Sequence, residues 1–94
     1  MTKEAVLKTK IRHWLIHEKH AYFFAPVQMG MGVSTLDILC CIDGRFVGIE
    51  AKVPGKTPTP RQEMVIAAIK NAGGIAFWTD SLEHTQRLLE AYQL

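Results

Sequence analysis

The sequence predicts a mixed α/β fold in which helices flank a sheet built around a β-hairpin. Three features carry this expectation. Apolar residues recur at helical spacing from Lys3 to Glu18, an Asp43-Gly44 pair separates two apolar runs, and a capped helix follows before a further short apolar run.

In the first helix Val6, Leu7, Ile11, Trp14 and Leu15 share one side. Lys8, Lys10, Arg12 and His13 fall between them and give it a basic outer side. Ala21 to Val27 is rich in aromatic residues and ends at Pro26-Val27, which suits a short edge strand, and Gln28 to Gly32 reads as a loop. Leu36 to Ile42 and Arg45 to Lys52 are the two arms of the hairpin. Asp43-Gly44 suits a two-residue turn because both turn positions need positive φ. Pro54 to Pro58 breaks the pattern. A helix then starts with Thr59 as N-cap, Pro60 at its first position and Gln62 completing a capping box. Val65, Ile66, Ile69 and Ala72 form its apolar face, and Gly73-Gly74 ends it. Ile75 to Thr79 is a strand. Asp80 or Ser81 caps a last helix reaching to about Tyr92, with Leu82, Leu88 and Leu89 inward. The predicted order is α-β-β-β-α-β-α.

At 94 residues the chain has room for one domain spanning 1–94. The apolar share of 48% and charged share of 21% are those of an ordinary globular protein. The apolar runs are too short to cross a bilayer, and the first residues contain no signal-peptide stretch, so the chain is expected to be soluble and cytoplasmic, without membrane partners. Cys40 and Cys41 would point to opposite faces of a strand, which argues against a mutual disulfide. Without a Cys-x-x-Cys they suggest no zinc site either, and they read as two small buried thiols. A net charge of +2 permits nucleic-acid binding without suggesting it. The basic groups at Lys3, Lys8, Lys10 and Arg12, and at Lys52, Lys56 and Arg61, have solvated charge as their ordinary meaning.

Two glycine motifs are set aside. Gly55-Lys56-Thr57 lacks the earlier glycine of a phosphate-binding loop, Glu50 standing there, and no helix starts at Thr57. Gly30-Met31-Gly32 lacks the third glycine of a dinucleotide site, so no nucleotide cofactor is expected. His13 and His17 lack the adjacent Glu of a zinc-protease motif and read as a surface pair.

The hairpin carries the chemistry. With Asp43 and Gly44 as the turn, Ile42 faces Arg45, Cys40 faces Val47, and Asp37 faces Glu50, their Cβ atoms about 5 Å apart. Lys52 projects from the same face as Glu50. Two facing carboxylates repel unless a positive group lies between them. A hard divalent cation, Mg²⁺ or Mn²⁺, would fill that role, and so would Lys52 alone. Beside the trio, Gln62 reads as half of a capping box or as a holder of water or phosphate. Lys56 is a loop lysine that could meet a phosphate, and Glu4 favours the dipole of the first helix.

Asp37 followed by Glu50-Ala51-Lys52 resembles the PD-(D/E)xK nuclease signature. The wider string is more specific: Pro26-Val27-Gln28, Gly32-Val33-Ser34, Asp37, Gly44-Arg45-Phe46, Ile49-Glu50-Ala51-Lys52, Pro54-Gly55-Lys56, Thr59-Pro60-Arg61-Gln62 and Ala72-Gly73-Gly74. Together, across roughly residues 4 to 80, it resembles the VRR-NUC (virus-type replication-repair nuclease) family. Thr35 and Leu36 stand between the Gly-x-Ser element and Asp37, a wider gap than many members have.

The resemblance implies a restriction-endonuclease-like αβββαβα core. It implies that Asp37, Glu50 and the Ala51 carbonyl hold Mg²⁺, for which Mn²⁺ would substitute, and that Glu4 is the acidic residue of the first helix. Lys52 would position or deprotonate the attacking water, Gln62 would orient it, and Lys56, Arg61 and Ser34 would contact DNA. Stand-alone members, of viral or prophage type, resemble junction-resolving enzymes of DNA repair. The implied activity is therefore structure-selective endonucleolytic hydrolysis of branched DNA, four-way (Holliday) junctions above all, by a homodimer. A flap or nonspecific endonuclease with the same site, and a non-catalytic DNA-binding module, remain open. The exposed aromatics Tyr22, Phe23 and Phe24 are candidates for the dimer surface.

Overall fold

The structure, a computed structural model, describes residues 1–24 and 35–94. Its elements are α1 (Lys3–Lys19), β1 (Tyr22–Phe23), β2 (Ile38–Ile42), β3 (Arg45–Ala51), α2 (Pro60–Asn71), β4 (Ile75–Thr79) and α3 (Leu82–Ala91). The strands form one four-stranded sheet in the order β1-β2-β3-β4. β3 runs antiparallel to β2 and parallel to β4. A parallel neighbour needs a crossover, and α2 supplies it.

Asp43 and Gly44 adopt φ of 50° and 79°, the positive values that a two-residue turn matching strand twist requires. The turn sets the register: Ile42 opposes Arg45 and Cys40 opposes Val47, as the sequence implies. Side-chain alternation then divides the sheet. Ile38, Cys40, Ile42, Val47, Ile49 and Ala51 face α1 and α3, where Ile11, Leu15 and Leu89 close the main core. Leu39 points to the opposite side, where with Leu36 and Ala76 it meets Val65, Ile66 and Ile69 of α2.

α2 lies more shallowly than its periodicity suggests. None of its residues is fully buried, and Ala72 is exposed rather than part of the inward face. The reason is local. Ala72 is already the C-cap, and the helix ends in a Schellman turn in which Gly74 N–H donates to the Ile69 carbonyl (2.9 Å) and Gly73 N–H to that of Lys70 (3.0 Å). Gly73 takes φ 93°, a conformation that favours glycine. In α3, Leu89 is buried, whereas Leu82 and Leu88 are half-buried at the rim of the core; Ser81 is the N-cap.

Gly48 permits the close approach of α2 to β3. A Cβ there would sit 3.0 Å from both Ile69 Cδ1 and Leu36 Cδ1. Gly48→Val is therefore expected to push α2 off the sheet and cost about 2 kcal/mol, read as a lowered midpoint in urea unfolding. An unchanged midpoint would show that the α2 layer gives way freely.

Three sequence expectations are corrected. Among the described residues the first edge strand comprises Tyr22 and Phe23, so it begins after Ala21; residues 25–27 lie outside the described residues, as do the loop at 28–32 and Ser34. The second strand begins at Ile38 rather than Leu36, and the third ends at Ala51 rather than Lys52. Only one thiol is buried. Cys40 faces the main core, where burial and then the neighbouring Cys41 push it up to about 12, while Cys41 is half-exposed on the other face, between Tyr22 and Phe46 in register. Among the described residues, no helix is long and apolar enough to cross a membrane.

Candidate active site

The strand boundary at Asp37 has a chemical cause. Asp37 N–H donates to the side-chain Oε1 of Glu50 (3.2 Å), and Ala51 N–H donates to Asp37 Oδ2 (3.1 Å). The two carboxylates thus replace backbone carbonyls in continuing the β2–β3 pairing. Asp37 and Glu50 stand opposite each other, one step beyond the Ile38–Ile49 pair.

Glu50 is 2% exposed, one of the few polar side chains in the interior. Its Oε2 accepts from Gln62 Nε2 (2.9 Å) and lies 3.5 Å from Lys52 Nζ, whose side chain is only 14% exposed. The Lys52 main chain is fixed as well, since its N–H donates to the Thr79 carbonyl (2.9 Å) as an extension of the β3–β4 pairing. Thr79 is itself buried and is held by Thr85 Oγ1 (3.1 Å). Lys52 therefore enters the site from a rigid base.

Gln62 serves both readings that its sequence position allows. Its Oε1 accepts from Thr59 N–H (2.9 Å) and its N–H donates to Thr59 Oγ1 (3.2 Å), which is the complete capping box. The amide group left over is the one that reaches Glu50. Capping thus fixes the rotamer that presents Nε2 to the carboxylate.

Glu4 joins the cluster from the first turn of α1. One carboxylate oxygen from each of Glu4, Asp37 and Glu50 lies within 4.8 Å of the others. Burial, and then the facing Asp37, push the Glu50 carboxyl from 4.5 up to about 7 against the opposing pull of Lys52.

Two residues that sequence reasoning left on the basic outer side of α1 also belong here. Lys8 Nζ lies 3.5 Å from Asp37 Oδ1, and Arg12 Nη2 donates to the Asp37 carbonyl (3.3 Å). Glu4, Lys8 and Arg12 are successive i,i+4 positions, so they form one stripe along α1. Once Glu4 is taken as a site residue, that spacing is the signal that would have found the other two. Of the remaining candidates, the Ala51 side chain is buried in the main core, and Lys56 and Arg61 are exposed on the turn before α2 and on its first turn. His13 and His17 are an exposed pair, as the sequence suggested, their rings tilted by 44° with centroids 4.3 Å apart.

No family model and no curated protein matches the sequence. Solved structures do match it in three dimensions. One, described as a "VRR_NUC domain", superposes with a TM-score of 0.80 at 18% identity, over 98% of this chain and 99% of its own. Another, a "VRR_NUC domain protein", gives 0.69 at 18% identity, over 98% of this chain and 88% of its own. Over nearly its whole length the chain carries the fold of a VRR-NUC domain, a mixed four-stranded sheet flanked by three helices.

Proposed function

We propose that the chain is a metal-dependent endonuclease that hydrolyses the DNA backbone. The observation that carries this reading is the meeting of Glu4, Asp37 and Glu50 within 4.8 Å, beside Lys52 and Gln62, on a VRR-NUC fold. The donor set fits a hard divalent cation. It offers only oxygen, and its three mutually repelling acids gain most from a positive charge among them.

Glu4, Asp37, Glu50 and the Ala51 carbonyl would hold Mg²⁺, or Mn²⁺ in its place. A bound ion would supply a more acidic water and a positive charge to offset the negative charge developing at the phosphorus centre. Lys52 positions the attacking water and steadies the phosphate oxygens as charge builds on them. Gln62 holds Glu50 in place and orients the water. Lys56, Arg61 and Ser34 contact the backbone, so binding is steeply salt-dependent with little base readout.

The substrate we favour is a four-way junction, cut by a cytoplasmic homodimer. A junction has approximate two-fold symmetry, and a two-fold dimer offers one site to each of two strands. Phe23 is partly buried against the main core, contrary to expectation, whereas Tyr22 and Phe24 are exposed together with Phe46, and the Phe24 and Phe46 rings are 5.6 Å apart, which makes this end of the sheet the proposed dimer surface. A flap or nonspecific endonuclease would use the same site. One observation favours a non-catalytic DNA-binding module: Lys8 and Lys52 already stand against the carboxylates as counter-charges.

The test is cleavage of a labelled four-way junction beside a linear duplex and a flap, with Mg²⁺ or EDTA and with Glu50→Ala protein as control. Symmetric, metal-dependent nicking of the junction alone, absent in the variant, is expected. Cutting of all three substrates keeps the nuclease and removes the junction. Folded protein that cuts nothing with Mg²⁺ or Mn²⁺ is the binding module.

A further inference from the structure

We infer that Lys8 exchanges partners, neutralising Asp37 in the cation-free protein and turning to a DNA phosphate when a divalent cation takes that carboxylate. This rests on the nuclease reading of the same site and adds to it a residue outside the Asp/Glu-x-Lys set.

The geometry of Asp37 carries the inference. Its Oδ2 already accepts the Ala51 N–H (3.1 Å), so Oδ1 is the freer oxygen for a cation, and Lys8 Nζ stands 3.5 Å from Oδ1. An ammonium and a divalent ion cannot share that oxygen closely without strong repulsion. One of them must leave, and Lys8 is the one built to move. Its side chain is 33% exposed and that of Asp37 20%, whereas the Lys52–Glu50 pair is nearly closed off at 14% and 2%.

Only the side chain has to move. Glu4 joins the acidic cluster one turn before Lys8, and Arg12 binds the Asp37 carbonyl (3.3 Å) one turn after it, so α1 stays in place on both sides. The charge balance gives the released ammonium somewhere to go. Three carboxylates facing Lys8, Lys52 and Arg12 leave the cluster balanced when all are ionised. A divalent ion turns it positive, the condition under which a phosphate is attracted to its edge.

The experiment compares wild type with Lys8→Met, which keeps most of the stem without the charge, and with Lys8→Arg. Mn²⁺ binding without DNA is followed by calorimetry. Binding of a fluorescein-labelled DNA duplex in Ca²⁺, which replaces Mg²⁺ to hold off cleavage, is followed by anisotropy across a salt series. Lys8→Met is expected to bind Mn²⁺ about 5-fold more tightly, because a competing charge is gone. Its DNA binding should weaken, with the slope of log affinity against log salt shallower by about 1, the loss of one phosphate contact. Lys8→Arg should keep the wild-type salt slope. A Lys8→Met protein with unchanged or weaker Mn²⁺ affinity, or with the wild-type salt slope, makes Lys8 a fixed partner of Asp37 and overturns the exchange alone. Wild type that binds no Mn²⁺ overturns the metal site itself, and the exchange with it.

Discussion

Lys52→Met is expected to slow DNA cleavage by about 10²–10³-fold at saturating Mg²⁺ while leaving the protein folded. The size follows from where the ammonium lies. A charge directed at developing negative charge is worth most where water is scarce, and the Lys52 side chain is 14% exposed. Its backbone is tied to Thr79 and its Nζ faces Glu50 Oε2, so it needs little reorganisation during the reaction. Met fills much of the same volume without the charge. The loss should appear in the single-turnover rate at saturating DNA, with DNA affinity in Ca²⁺ changing far less. Lys52 also lowers the pKa of Glu50, so the variant should need a higher pH to bind Mn²⁺ as tightly as wild type. If cleavage survives Lys52→Met within a few-fold, Lys52 is a counter-charge for Glu50 and another group steadies the phosphate.

The parts of this site that were legible in the sequence are those fixed by short-range rules. Asp43-Gly44 sets a turn, the turn sets a register, and side-chain alternation brings Asp37 opposite Glu50 with no knowledge of the rest of the chain. The Thr59-Pro60…Gln62 cap likewise fixes where α2 begins, and so where Gln62 can reach. What was not legible depends on docking. Lys8 and Arg12 look like solvated positions on an amphipathic helix, because helical periodicity shows which side is apolar but not what its flank lies against. Asp37 was read as strand because it lies inside the apolar run from Leu36 to Ile42; that its main chain bonds to a side chain instead is visible only in three dimensions. The half-exposure of Cys41 has the same origin, since α2 lies over β3 and β4 and leaves the β1–β2 end of that face more open.

Glu50→Gln is expected to stabilise the metal-free protein at pH 8, by up to about 3 kcal/mol, while removing its Mn²⁺ binding. Burial and the facing Asp37 raise the Glu50 pKa from 4.5 to about 7 in the fold. Between those values the native protein keeps a proton that the unfolded chain has released, so stability falls as pH rises. The contribution of Glu50 is thus intact below about pH 4.5 and is lost as pH climbs through 7. Gln stays neutral throughout. The two proteins should therefore have similar unfolding midpoints near pH 4.5 and separate progressively above it, the variant becoming the more stable. Mg²⁺ should narrow the gap at pH 8, since only the carboxylate form gains by binding it. For the same reason the Mn²⁺ affinity of wild type should rise about tenfold per pH unit below 7 and level off above it. The opposite order at pH 8, with wild type more stable than the Gln variant in EDTA, would mean that Lys52, Gln62 and the Asp37 N–H already compensate the buried charge. The cluster would then be a structural ion-pair network, and the case for a cation there would weaken sharply.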